Sequence, residues 1–282
     1  MSLSGLDPQT RFDFGRWRLV IIGGLLVGLV LAAAIFAPWI APYSPLEFDV
    51  VEMLQPPSTA HWLGTDELGR DVLSRAIYAA RISMQVALLA VTVGLVGGTL
   101  IGTIAAYFGG WVDAILMRTM DLLFSFPAIL LAVVLMASLG NSVWNAMIAI
   151  GLVFIPGFSR LARASTQSVL RQQYVEAART IGMSDVQIIF REILPNIVAP
   201  LLVEAAVAFA YAVLLESALS FLGLGAQPPD ASWGNMLSTG RGFMAQAPWL
   251  SLVPGMAMFI CVLGFNLLGD GLRDVFDPHM RH

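Results

Sequence analysis

The chain has 282 residues, 57% of them hydrophobic and only 12% charged, with a formal net charge of −4 and a mean hydropathy of +0.78. A soluble domain carries about 25% charge, so this chain is too apolar to cover a water-facing surface and too hydrophobic to be disordered, and most of it must face lipid. All 15 basic residues are arginine, so no lysine is present to build a nucleotide-binding P-loop; the single Cys261 excludes an internal disulfide or a Cys-rich metal site, and the negative balance does not point to nucleic acid.

Charge-free stretches mark the spans. A helix rises about 1.5 Å per residue, so roughly 20 apolar residues cross the hydrocarbon core. Residues 1–18 read as a cytoplasmic tail and 19–40 as span 1, ended by Pro38, Pro42 and Pro45. That apolar run exceeds the roughly 7–15 residues of a signal-peptide core, which favours an uncleaved anchor. Residues 41–81 carry Glu47, Asp49, Glu52, Asp66, Glu67 and Asp71 and read as an outer loop in water. Span 2 follows at 82–107. Its small residues Ala90, Gly94, Gly98, Gly102 and Ala106 recur at every fourth position, which lets another helix approach closely, from inside the bundle or from another subunit. Leu122–Ser159 is too long for one crossing, and Gly140-Asn141-Ser142 divides it into spans at 119–139 and 143–160. Span 5 lies at 197–219 and span 6 at 249–268, joined by an outer loop at 220–248. The expected fold is therefore an all-α integral membrane protein, with six transmembrane helices in one domain over 19–282. Only Arg70, Arg75, Arg81 and Arg241 fall on the outer side of this scheme, so arginine asymmetry places both termini in the cytoplasm.

The inner loop 161–196 is too polar to cross. Leu170, Tyr174, Ala178 and Ile181 fall at i, i+4, i+8 and i+11, one face of a helix. Gly182 is a helix stop, Ser184-Asp185-Val186-Gln187 reads as a capping box opening a second short helix, and Pro195 limits that helix. Read from residues alone, this helix–turn–helix is an amphipathic pair lying on lipid headgroups or a DNA-binding element. Its small local charge and its tether at both ends argue against DNA.

Two acids interrupt span 5. Intramembrane carboxylates usually face a bundle interior or a water-filled cavity. Glu204 and Glu216 are separated by about 18 Å along the helix axis, so they form no pair. Glu216, near the outer end, faces a translocation cavity or caps the span in the interface. Glu204 poses the same choice near the inner end. Enzymatic hydrolysis needs a base beside a nucleophile, yet all three histidines lie outside the spans and no HExxH zinc motif occurs. A secondary transporter would need its own coupling-ion site at the midplane, and no carboxylate cluster supplies one.

Glu176-Ala177-Ala178, then Gly182, then Ile193-Leu194-Pro195, resemble the EAA loop of ABC importer permeases. The pattern's usual aliphatic residue ten after the glycine is here Glu192, with Ile193 next. Three further stretches resemble the dipeptide, oligopeptide and nickel branch of that family: His61–Arg75, which contains GTDELGRD; Ser220–Pro229 with Trp233-Gly234; and Phe265–Asp274 ending in Asp277-Pro278. The resemblance covers the chain from about residue 19 and implies the second permease subunit of a pair, in a bacterial inner membrane. It implies that Tyr174, Glu176, Ala177, Ala178, Gly182, Ile193, Leu194 and Pro195 couple to an ATPase. Implied partners are a paralogous permease, two ATP-binding subunits that carry ATP and magnesium, and an extracytoplasmic solute-binding protein. No cofactor or metal is expected on this chain, and no enzymatic activity. Asp66, Arg70 and Asp71 either contact the binding protein or pair with one another to fix the loop. Permeases of this look carry di- and oligopeptides, glutathione, nickel chelates or opines.

Overall fold

The computed structural model describes residues 14–227 and 229–276, and within them the chain is helical with no β-strand. The expectations for the tail up to residue 13, for Pro228 and for Asp277-Pro278 lie outside the described residues. Five helices are long and apolar enough to cross a membrane: α1 (Phe14–Ile40), α2 (Val72–Phe108), α5 (Val143–Val169), α8 (Leu194–Phe221) and α10 (Trp249–Phe276). Between them lie α3 (Gly110–Phe124), α4 (Ala128–Leu139), the short α6 (Gln173–Thr180) and α7 (Asp185–Gln187), and α9 (Trp233–Arg241). Leu25, Leu29, Phe36 and Trp39 of α1 are exposed, as suits a face whose solvent is lipid.

Small residues set the helix pairing. α1 and α10 run antiparallel, with Gly23 against the backbone of Gly264 and Leu268 and Gly271 against Val20. α2 and α5 run parallel. Gly94 faces Phe154, Gly98 faces Phe158 and the backbone of Ile155 and Ser159, and Gly102 faces Ser159 and Ala162. The four-residue stripe of α2 is therefore spent inside the chain on α5.

Besides α5 running on to Val169 and α10 to Phe276, two differences from the sequence reading shape the fold. α2 begins at Val72 rather than 82, because Asp71 caps it, accepting from the Ser74 amide at 2.8 Å. Arg75 does not end the helix, since its Nε lies 3.3 Å from Asp66. The preceding loop is thus 41–71. The second difference is span 3. In place of one helix over 119–139, α3 and α4 meet at 92° across Ser125-Phe126-Pro127. Pro127 has no amide hydrogen and pushes Phe126 out of the helical region, so the helix stops there. α4 alone rises about 18 Å, short of the roughly 30 Å core, so a sixth crossing exists only as this broken pair.

Candidate functional site

The segment between α5 and α8 forms one end of the bundle. α6 ends in a paired turn: the Gly182 amide donates to the Arg179 carbonyl at 3.0 Å and the Met183 amide to the Ala178 carbonyl at 3.1 Å. This geometry needs a left-handed residue, and Gly182 supplies it at φ +80°. Ser184 and Gln187 then cap α7 reciprocally, as the capping-box reading anticipates. Pro195, however, does not limit a separate helix. Asp185–Phe221 runs on as a single helical element through a π-helical stretch, Ile188–Ile193, immediately before the proline. The wider turn lies where Pro195 removes an amide donor, so the helix passes the proline without a break.

The proposed single face is also redrawn. Leu170 belongs to the end of α5, so Leu170, Tyr174, Ala178 and Ile181 share no one helix. Val175, Ala178, Ile188 and Ile193 are buried against their own chain, with Leu194 half-buried. Tyr174, Ile181, Val186 and Phe190 are exposed, as are Glu176, Ala177, Gly182 and Pro195. Ala178 therefore packs against its own chain, with 5% of its surface exposed.

The opposite end gathers residues 41–71, the loop after α8, and α9. Here the GTDELGRD residues pair with one another. Asp66 meets Arg70 Nε at 2.7 Å, Arg70 reaches Glu67 at 3.0 Å, and Asp66 and Asp71 are almost wholly buried. His61, which the sequence reading gave no role, sits at the centre. Its Nδ1 lies 2.9 Å from Asp71 and its Nε2 2.9 Å from Glu52, with the Tyr43 ring tilted against it at 4.7 Å. Burial of the ring works against its charged form, but the bonds to Asp71 and Glu52 outweigh that and raise the His61 pKa above the ordinary histidine value. Trp249 of α10 closes the arrangement, donating to the Thr65 carbonyl at 3.1 Å. Asp66, Arg70 and Asp71 thus act on this chain's own loop.

Glu216 is 1% exposed. Its carboxylate accepts from Ser220 at 2.7 Å, Ser83 at 3.1 Å and Ser217 at 3.4 Å. Gly234 of α9 packs on the backbone of Ser217 and the Cβ of Ser220 beside it. Glu216, a candidate pathway residue in the sequence reading, is enclosed within this chain by three hydroxyls from α2 and α8, and α9 packs alongside. Glu204 is exposed, by contrast, and lines a cleft of about 510 Å³ with Pro200, Asp270, Arg273 and Phe276. Among the described residues no group of His, Cys, Asp and Glu could hold a metal.

The sequence reading also missed the pairs at the other ends of α2, α3 and α5. Arg163 clasps Asp113 with two bonds of 2.5 and 2.6 Å, and Arg160 meets Asp121 at 2.7 Å. Tyr107 donates to Asp185 at 2.6 Å across 78 residues. Nothing in their spacing announces these contacts.

Residues 98–282 match the family described as binding-protein-dependent transport system inner membrane component, and residues 10–57 match the N-terminal TM domain of oligopeptide transport permease C. The chain is 46% identical over 264 residues to a dipeptide transport system permease protein of Alkalihalophilus pseudofirmus, covering 94% of this chain and 87% of that one. It is 42% identical over 269 residues to a glutathione transport system permease protein of Pectobacterium atrosepticum, and 44% identical to one of Escherichia coli, covering 95% of this chain and 89% of each relative.

Proposed function

The chain belongs to the family of binding-protein-dependent transport system inner membrane components, and on that premise we propose that it is half of the pore of an ATP-driven importer of dipeptides or glutathione. It is a multi-pass membrane permease subunit and not an enzyme. The complementary half is a paralogous permease. Two ATP-binding subunits hold ATP and magnesium, this chain binds neither, and an extracytoplasmic solute-binding protein delivers the cargo. Both termini lie in the cytoplasm of a bacterium, under its inner membrane. The arginine asymmetry supports this orientation, which puts α6 and α7 on the ATPase side.

One observation carries the coupling role: the 173–193 segment buries one set of apolar side chains and presents another, Tyr174, Ile181, Val186 and Phe190, to solvent. An anchored segment with an unsatisfied apolar face is built to seat in a partner's groove. Glu176 and Ala177 are also exposed, Gly182 sets the turn, and Ile193, Leu194 and Pro195 join the segment to α8. An Ile181→Cys variant should cross-link to a cysteine placed in the groove of the ATPase subunit and should do so more slowly with Cys at Ala178. Equal, negligible cross-linking at both positions in an assembled transporter refutes the docking reading.

The cargo proposal rests on the relatives' dipeptide and glutathione transport. Transport by the complete assembly of one of these two solute classes, in competition against the other, distinguishes them.

A further inference from the structure

We propose that Tyr107 is the positioning residue that fastens the ATPase-docking segment to α2, so that movement of the segment is delivered to the helix that spans the whole bundle. The proposal rests on the docking reading above and adds to it the route by which motion leaves the segment.

Tyr107 stands in the last turn of α2. Its phenol donates to Asp185 Oδ1 at 2.6 Å, the short distance expected when a hydroxyl meets a carboxylate. Asp185 is the first residue of α7, directly after the capping Ser184. The Arg179 guanidinium lies 5.5 Å from the centre of the Tyr107 ring, within cation–π range, and Arg179 belongs to α6. Gly182 separates Arg179 from Asp185. One side chain on α2 therefore touches both arms of the glycine turn. Among the described residues the other side-chain hydrogen bonds of the segment stay local, from Thr180 to Glu176, between Ser184 and Gln187, and from Asn196 to Glu192.

α2 is suited to receive the motion. Its 37 residues make a rod of about 55 Å. Three glycines lock it along α5, so the two helices shift together. At its far end, Asp71 caps the helix and holds His61 of the 41–71 loop. Buried apolar contacts of Val175, Ala178, Ile188 and Ile193 hold the segment in place, but hydrophobic contact has no preferred direction. A short charge-assisted hydrogen bond fixes an angle. The angle between the docking segment and α2 is what a rocking motion has to transmit.

The test uses the complete transporter, with both permeases, both ATPases and the binding protein, in liposomes. Radiolabelled glutathione and a radiolabelled dipeptide are supplied in parallel. Tyr107→Phe removes only the hydroxyl and keeps the ring under Arg179, and Asp185→Ala removes the acceptor. Tyr107→Phe should keep the ATPases bound and hydrolysis stimulated, while solute moved per ATP falls about tenfold, the factor carried by about 1.4 kcal/mol. Asp185→Ala should lower the same ratio equally, and the double variant should fall no further. A parental ratio in either single variant, multiplicative losses in the double variant, or loss of the ATPase from Tyr107→Phe overturns the proposal, because the phenol lies off the docking face. The Ile181→Cys cross-link separates the two readings. If it forms in Tyr107→Phe and the ratio is unchanged, only the Tyr107 assignment falls. If it fails in the parent, the docking reading falls with it.

Discussion

His61 makes the loop over residues 41–71 sensitive to pH, and the structure fixes the sign. Both ring nitrogens lie 2.9 Å from carboxylate oxygens, of Asp71 and of Glu52. A neutral imidazole donates through one nitrogen only, so the doubly protonated ring alone satisfies both acceptors. The tilted Tyr43 ring packs against it, and Asp66 of the same loop is engaged by Arg70 and Arg75. The folded pKa is raised above 6.5. The stabilisation is therefore fully present below the unfolded value and is lost as pH rises through the raised one. When the proton leaves, the ring keeps its bond to Asp71, whose side chain is 1% exposed, and loses the one to Glu52, whose side chain is 46% exposed. Solvent screening of Glu52 limits the loss to about 0.5–1 kcal/mol, roughly a two- to fivefold change in loop opening. Amide hydrogen exchange over residues 50–66, corrected for intrinsic pH dependence, should accelerate by that factor across the titration. His61→Gln should exchange fast at every pH. If the variant retains the same acceleration, the pH response does not come from this ring.

Three other perturbations follow from contacts of comparable clarity. Gly98→Ala places a Cβ 2.8 Å from the Ile155 carbonyl and 2.9 Å from the Ser159 amide. Backbone atoms cannot swing aside, so the variant should lose about 1–3 kcal/mol and melt early in detergent, while Gly28→Ala, with nothing within 4 Å, should not; equal melting of the two contradicts the close packing of α2 on α5. Glu216→Ala takes the acceptor from three serine hydroxyls and should destabilise by about 1–3 kcal/mol or more, with Glu216→Gln milder because one carbonyl remains; indistinguishable melting curves for the two would leave the serine cluster without energetic weight. A Ser58→Cys variant should react with an impermeant thiol reagent added outside intact cells, and labelling from the cytoplasmic side alone reverses the proposed orientation.

The sequence was most informative where physics is local. Apolar length located five of the spans, because lipid tolerates no other backbone arrangement. The Ser184–Gln187 cap and the Gly182 turn were legible because each is decided within four residues. Charge misled at Arg75, which reads as water-facing until Asp66, nine residues earlier, is known to neutralise it. Pro195 was read as a helix stop and Pro127 was passed over inside a span, yet the first is carried through by a π-helical stretch and the second bends the chain by 92°. The choice depends on what packs around each proline, which single-chain patterning does not encode. Glu216 looked like a pathway residue because an acid in an apolar span is costly unless it meets water or donors. The donors were present as Ser83, Ser217 and Ser220, but Ser83 lies 133 residues away, on another helix.

The distribution of these contacts bears on how such a subunit moves. In lipid no hydrophobic force draws one span to another, so close packing of small residues must join them. That is what Gly94, Gly98 and Gly102 do between α2 and α5, and Gly23, Gly264 and Gly271 between α1 and α10. Directional bonds are placed toward the helix ends. Asp66, Asp71 and His61 bind the 41–71 loop to the start of α2, and Asp113 and Arg163 bind α3 to α5. Tyr107 and Asp185 bind α2 to the docking segment. Shape contacts along the spans make α2 and α5 move as a pair, and the bonds at their ends determine what travels with them. A transporter whose helices are pushed from one end needs this separation, because a polar bond at mid-membrane would have to break in lipid with no water to replace it. The buried Glu216 cluster lies near the end of α8, where α9 packs against it, and α2 contributes Ser83 from about three turns into the helix.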